Sequence, residues 1–508
     1  MEKRLILAIA LSALILLGWS ALFPKPQPID NKEVEKEDAF IKYPGKQTND
    51  KINIPPETQN NLNPAETLKF PQGERDIIFD PSRGSIVDVI FNRNLEHRFP
   101  LKTGLLTESN DLFKQESKKD GQISFVSQDQ DKRIIKRFIC RNDSYIIELE
   151  VQTKNISGRP ILFDPHLALG RMDLSAKNPQ SRYQDILLSN SEKTMHVSAG
   201  KELSLDNIKF IGFRDQYFCA ILEPVNLVTK AYIKKIAPQE TEVGIVGKEI
   251  ILNPGEQIGH LYRIYLGPQD LSIINNINPE WSSIIYFGTF DFIAQLILQL
   301  LGFFYSIVHN WGWAIIILSL SVYLLLFPLS LKQMRSMKEM QLLQPKIDAL
   351  RKELKDNPQR LNKEIMELYK EHKVNPLGGC LPLLLQMPIF FALYQALIRS
   401  AALRGAHFLW IKDLSAPDKL FTLKNSIPFL GNQINILPIL MAIGMFVQQK
   451  ISSVKATGEA AQQQKMMSII MPVMFGVIFY QMPSGLVLYW LVNSMLMLFY
   501  QLRLNKQK

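Results

Sequence analysis

LKQMRSMKEMQLLQPKIDALRKELKDNPQRLNKEIMELYKEHKV, residues 331–374, decides how this chain is read. The apolar run 311–329 precedes it, and NPLGGCLPLLLQMPIFFALY, residues 375–394, follows it. Within it Met340, Leu343, Ile347, Leu350 and Leu354 recur at three- and four-residue steps, a coiled-coil-like seam. Pro345 interrupts that seam and predicts a kink or a restart. Asp356-Asn357-Pro358 is a turn signal, and Leu361, Ile365 and Leu368 form a matching stripe on the return helix. Asp348 and Lys352 stand four apart in the favourable order. The expectation is a charged helical hairpin over residues 331–373, tethered at both ends to membrane spans and too long to be a minimal connector.

The whole chain has 508 residues, 46% hydrophobic and 21% charged, a balance that fits one soluble domain joined to a set of spans. The net charge of +10 is carried largely beside apolar segments, as the positive-inside rule requires. That placement argues against direct, sequence-specific nucleic-acid binding. Of the three cysteines, Cys140 and Cys219 either pair or remain buried thiols, and Cys380 reads as a small packing residue. The sequence has no CxxC motif and no Cys/His cluster, so neither a metal nor another cofactor is expected.

Residues 5–23 are almost wholly apolar behind Lys3 and Arg4 and read as an uncleaved signal anchor over 1–23. Residues 24–69, rich in Pro, Asn, Lys and Glu, read as a flexible tether. From 70 to 280 the pattern becomes short alternating runs. DIIFD (76–80), SIVDVIF (85–91), QISFVS (122–127) and SYIIELEVQ (144–152) predict strands of an all-β sandwich. His97, His166, His196 and His260 are scattered through it and read as surface or core residues rather than ligands.

Residues 281–309 are apolar but broken by Asp291, Gln295 and Gln299, which predicts an amphipathic helix lying in the membrane interface. Spans are expected at 311–329, 381–398, 434–447, 466–480 and 486–502, six with the anchor, inside a segment 310–502. An even number puts both termini in the cytoplasm. Lys332, Arg335, Lys450, Lys455 and the basic tail 503–508 agree, while five basic residues in the 399–424 loop run against it. Two spans are short: 436–447 extends only about 18 Å and 466–480 about 22 Å, against roughly 30 Å of hydrocarbon, and so should thin the bilayer.

NPLGGC (375–380), LLQMPIF (384–390) and PSGLVLYW (483–490), together and in this order, resemble the YidC family of membrane protein insertases. The resemblance covers 310–502, and the anchor, tether and β domain ahead of it resemble Gram-negative members. It implies a five-helix core in the bacterial inner membrane, with a large periplasmic domain. It further implies a hydrophilic groove open to cytoplasm and lipid and closed outward. Its expected partners are nascent membrane proteins, the lipid bilayer and the Sec translocon, with the ribosome only weakly indicated by the short tail. No enzymatic chemistry is expected.

The residues themselves allow such a groove. Ser319, Tyr323 and Ser330 share one helix face; Tyr489, Asn493 and Tyr500 share another, with Trp490 and Ser494 beside it. Gln386 sits between Pro382 and Pro388 inside a span, and Gln395, nine residues on, points the opposite way. Polar groups at this depth mark either a wet cavity or interhelical hydrogen bonds. Ser319, Tyr323, Gln386, Tyr489, Trp490 and Asn493 are the candidate groove residues. The position that is usually arginine in the family is Tyr323 here, and Trp490 stands where a second tyrosine is usual. A small-molecule transporter is the competing reading, sustained by Pro382, Pro388, Pro438 and Pro472 within the spans.

Overall fold

The computed structural model describes residues 67–92, 95–107, 111–119, 121–141, 144–175, 178, 180–198, 200–354, 357–372, 381–427, 431–452 and 459–506. The expected anchor, nearly all of the tether, and Cys380 with the NPLGGC string lie outside them. The chain divides into two compact units, with residues 93–96 and 268 onward forming the second.

The first unit is antiparallel β throughout. Alternation of apolar and polar residues explains its strands. KRIIKRFIC, Lys132–Cys140, buries every second residue from Ile134 to Cys140. It is one member of a nine-stranded sheet that runs from Thr194–Val197 at one edge to Phe113–Lys119 at the other. A four-stranded meander, Leu68–Gln72 through His97–Gly104, and a second four-stranded sheet containing His166–Asp173 complete the layers. The expected strands are present, with Ile146–Asn155 starting two residues late and running three further than expected. Phe79, Phe125 and Phe138 meet edge-on or tilted in the core. Cys140 and Cys219 are both free and buried, so of the two readings the unpaired thiols hold.

The alternation also carries a lysine inward. Lys136 is fully buried and donates to Gly84 O (3.1 Å) and Leu105 O (2.9 Å), with its ammonium 4.7 Å from the Phe113 ring centre. Burial pulls its pKa down to about 7, against a weaker opposing pull from Asp111. In the unfolded chain the lysine titrates near its ordinary value of 10.5. Between these values the unfolded state binds the extra proton, so stability rises as pH climbs above 7, and the penalty is fully present below it. Hydrogen exchange of the Lys132–Cys140 strand, corrected for intrinsic rates, should therefore slow from pH 7 to about 9. Lys136→Met should remove that dependence.

The second unit is helical. We label its helices α1 (Leu271–Ile277), α2 (Asp291–Val308), α3 (Trp311–Glu353), α4 (Pro358–Glu371), α5 (Leu381–Arg399), α6 (Ile436–Ser452), α7 (Glu459–Phe479) and α8 (Ser484–Lys506). Asp270 caps α1 by accepting from Ser272 N (2.9 Å). His309, left-handed at φ +50°, turns the chain sharply from α2 into α3, and Tyr305 stacks on Trp311 across the turn (4.0 Å). α8 packs against α3, α5 and α6. Among the described residues three segments are long and apolar enough to cross a membrane: Asp291–Val308, Trp311–Pro328 and Ser484–Arg503. Ile436–Ile451 and Ser468–Phe479 are shorter apolar helices. At 1.5 Å per residue the second spans only about 18 Å.

α3 runs unbroken through Pro328 and Pro345, so the restart expected at Pro345 does not occur. Around Pro345 the packing of Leu343 and Ile347 against α4 offsets what the proline costs the helix. Leu343 and Ile347 are buried against Met340 and against Ile365, Leu368 and Tyr369 of α4. Leu350 and Leu361 are half-buried and lie outside this cluster, which takes Tyr369 instead. Asn357 Oδ1 accepts from Arg360 N (3.1 Å) and Pro358 opens α4, a capped turn where the sequence signals one. Asp348 pairs with Arg351 (3.6 Å), not with Lys352.

Candidate functional site

Five helix ends converge on the loop 400–420. Asn310 caps α3 through Gly312 N (3.0 Å) and Trp313 N (3.2 Å), and its amide reaches His407 O (3.4 Å). Asp418, buried, accepts from Ile436 N (2.9 Å) and Leu437 N (3.0 Å), the first turn of α6, and from the Trp410 indole (3.2 Å). Asn435 donates to Tyr480 O (2.6 Å), and the Tyr480 hydroxyl donates to Gln433 O (2.9 Å). Ser484 opens α8 with its N–H on Ala416 O (2.8 Å) and its hydroxyl on Asp413 O (2.9 Å). The loop thus satisfies helix N-termini whose N–H groups would otherwise be orphaned. α5 ends at this same place, where Arg399 donates to Tyr286 O (3.0 Å). The opposite ends of the helices carry the hairpin and the basic residues Lys450 and Arg503.

Inward from this seal lies a polar cluster. Gln386 Nε2 donates to the Tyr489 hydroxyl (3.0 Å), and Asn493 Nδ2 donates to Tyr489 O (2.9 Å). The structure therefore brings together three candidates on α5 and α8. Gln386 and Asn493 are half-buried, whereas Tyr489 is only 1% exposed. The next position turns away by about 100°. Trp490 accordingly packs among Phe390 (5.6 Å), Phe475 (6.0 Å) and Phe479 (5.3 Å) instead of joining the polar group.

α3 contributes differently. Ser319 is fully buried and bonds back to Ile315 O (2.7 Å) of its own helix, so it is satisfied without a groove. Tyr323 is half-buried beside Phe327 (5.8 Å), whose ring meets Tyr500 edge-on (5.0 Å). Of the six candidates, the two on α3 thus stand apart from the hydrogen-bonded cluster. The sealing residues Asp418, Asn435 and Tyr480 were not singled out by the sequence reading. The signal was available: Asn435 immediately precedes the apolar run of α6, as an N-cap residue does.

Among the described residues no His, Cys, Asp or Glu group is arranged to hold a metal. What the geometry offers is a neutral, hydrogen-bonding cluster among apolar helices, sealed at one end by buried loop contacts. Apolar side chains face outward on the short helices: Ile443 is 54% exposed on α6 and Val473 59% on α7. This is a polytopic helical membrane protein bearing a large β-sandwich domain.

Sequence comparison identifies the family. Residues 303–508 match the family described as 60Kd inner membrane protein, and residues 90–300 match the YidC periplasmic domain. The membrane protein insertase YidC of Geotalea uraniireducens is 34% identical over 554 aligned positions, covering 100% of this chain and 99% of that one. That of Syntrophobacter fumaroxidans is 36% identical over 405, covering 77% and 72%. A crystal structure of an active YidC insertase with its first transmembrane domain resolved aligns at TM-score 0.42 and 20% identity, over 86% of this chain and 93% of that one. The chain belongs to the YidC family of membrane protein insertases.

Proposed function

We propose that this protein inserts membrane proteins into the bacterial inner membrane, using the Gln386–Tyr489–Asn493 cluster as the floor of a hydrophilic groove. One observation carries the reading: uncharged polar side chains sit within the helices beneath a loop that closes one end. A polar stretch of a nascent client gains hydrogen-bonding partners there, which lowers the cost of leaving water. The short apolar stretches of α6 and α7, Ile436–Ile451 and Ser468–Phe479, thin the bilayer and shorten its path. The client's apolar segment then slides into lipid beside α3, α5 and α8, driven by burial of apolar surface. No covalent step is needed, and the protein is not an enzyme.

The finer topology follows the same reading. With six spans, five of them in the core, both termini face the cytoplasm, the sealed loop faces outward, and the hairpin stands in the cytoplasm. Lys450 and Arg503 lie at the hairpin end, in keeping with the positive-inside rule. α2 lies in the outer interface: Phe292 (81% exposed) and Phe303 (60%) face lipid, while Ala294, Ile297 and Leu301 are buried. The hairpin meets incoming clients and the ribosome, and the core works alone or beside the Sec translocon.

Reconstitution into liposomes tests the function. Insertion of a small two-span client without solute flux supports the insertase; solute flux without insertion supports a transporter. Tyr323→Arg should retain insertion within about twofold, because a half-exposed position lets a long side chain extend to water. Severe loss of activity from that change would show the position to be tightly packed.

A further inference from the structure

The sealing loop carries an apolar tip of its own. Phe408 N–H donates to Ile411 O (2.9 Å) and Ile411 N–H to Phe408 O (2.8 Å), so Leu409 and Trp410 form a two-residue hairpin turn. Leu409 holds its first central position at φ +50°. A turn of this length with that residue left-handed calls for glycine there, because a Cβ is crowded in that conformation. Leucine is thus an unfavourable choice for the backbone, and its side chain is 74% exposed. Packing among the described residues accounts for neither the strain nor the residue type.

The neighbours of Leu409 fix where the tip stands. Phe408 is buried, with its ring 5.7 Å from that of Trp313 in the first turn of α3. Trp313 is 53% exposed and heads a stripe at steps of seven and four, Trp313, Leu320 (41%) and Leu324 (60%). The stripe runs along the outside of a helix long and apolar enough to cross a membrane, so it is the lipid face of α3. A tryptophan at the end of such a face marks the boundary between acyl chains and headgroups. Leu409, the residue after Phe408, stands at that level and carries the apolar surface past the end of the helix.

The rest of the turn suits the same boundary. The Trp410 indole N–H is turned back onto Asp418 (3.2 Å), and Lys412, three residues beyond Leu409, is exposed. An apolar tip with a cationic flank is the order of a segment lodged at a membrane interface, where the cation meets lipid phosphates. The bilayer that covers the Trp313 stripe therefore covers Leu409 as well, and no further partner is needed to take its side chain out of water.

We propose that Leu409 is a lipid anchor: it seats in the acyl-chain boundary of the leaflet at the sealed end and holds the loop at a fixed depth. Burial of its side chain in lipid offsets the left-handed backbone. The inference rests on α3 crossing the bilayer, not on the polar cluster. In full-length protein with the three native cysteines changed to alanine, Leu409→Cys and Lys412→Cys are labelled with a nitrobenzoxadiazole probe. The labelled proteins are reconstituted in phosphatidylcholine–phosphatidylglycerol vesicles. Lipids spin-labelled about 5–10 Å below the headgroups should quench the probe at 409, and iodide on both sides of the vesicles should quench it about fivefold less than at 412. Equal iodide quenching at the two positions overturns the proposal. Shielding of 409 from both quenchers overturns it too, because protein, a second copy included, then covers the tip. An unlabelled variant gives a measurement free of the probe's own apolarity. Leu409→Gly suits the turn, yet the lipid contact it loses outweighs the strain it relieves, so the melting temperature in vesicles should fall by about 2–4 °C. A melting temperature that stays or rises overturns the anchor. Neither readout uses client insertion, so failure of the groove reading would leave both results as they are.

Discussion

Gln386→Leu is expected to slow client insertion about tenfold in liposomes while leaving the protein folded. The change removes the Gln386 amide that donates to the hydroxyl of Tyr489, a residue only 1% exposed. A buried polar atom left without its partner costs about 1–3 kcal/mol. More important for function, it takes a donor and an acceptor from the proposed groove. Leucine has nearly the same volume, so packing around Pro388 is retained. Tyr489→Phe in the Gln386→Leu background should restore stability, since both partners are then apolar, but not insertion. Melting temperature and insertion rate measured on the same preparations separate these effects. If the double variant inserts at the normal rate, the cluster is a structural contact and the groove lies elsewhere.

The second large effect is expected at Gly312. A Cβ built there falls 2.0 Å from Cγ and 2.6 Å from Cβ of Phe408, far inside contact distance. Those are the atoms of Phe408 nearest its own backbone, so no rotamer change clears them and the sealing loop must move. Gly312→Ala should therefore cost about 3 kcal/mol, at the upper end of overpacking penalties. It should also make the loop end of the helices accessible to a water-soluble thiol reagent, read at a cysteine introduced at Ser415. Phe408→Ala in the same chain should relieve only part of the clash, since its Cβ stays 2.6 Å away. A melting temperature unchanged by Gly312→Ala alone would mean that the loop does not seat against α3.

The β strands were legible because a two-residue alternation is local, and it survives in strands such as Lys132–Cys140. That same strand hides its exception, since Lys136 reads as a surface residue until the register places it against two carbonyls. The hairpin was legible from its stripe and its turn, but Tyr369 displaced Leu361 from the seam, because helix phase alone does not fix which side chain reaches across. The seal was invisible to pattern reading. Asp418 reaches Ile436 and Leu437, and Asn435 reaches Tyr480, across 18 to 45 residues with no periodic signature. Among the groove candidates, helix phase put Tyr489 and Asn493 on one face. It could not say that Ser319 would be content with its own helix.

Gln386, Tyr489 and Asn493 are dipoles, and a dipole has no preferred sign of visitor. A fixed cation in that place would tug on acidic stretches and repel basic ones, with a strength that added electrolyte would screen. Amide and phenol groups reorient to welcome either. The proposed route is thus ion-agnostic: its traffic should respond little to ionic strength or to which charges a client's crossing segment carries.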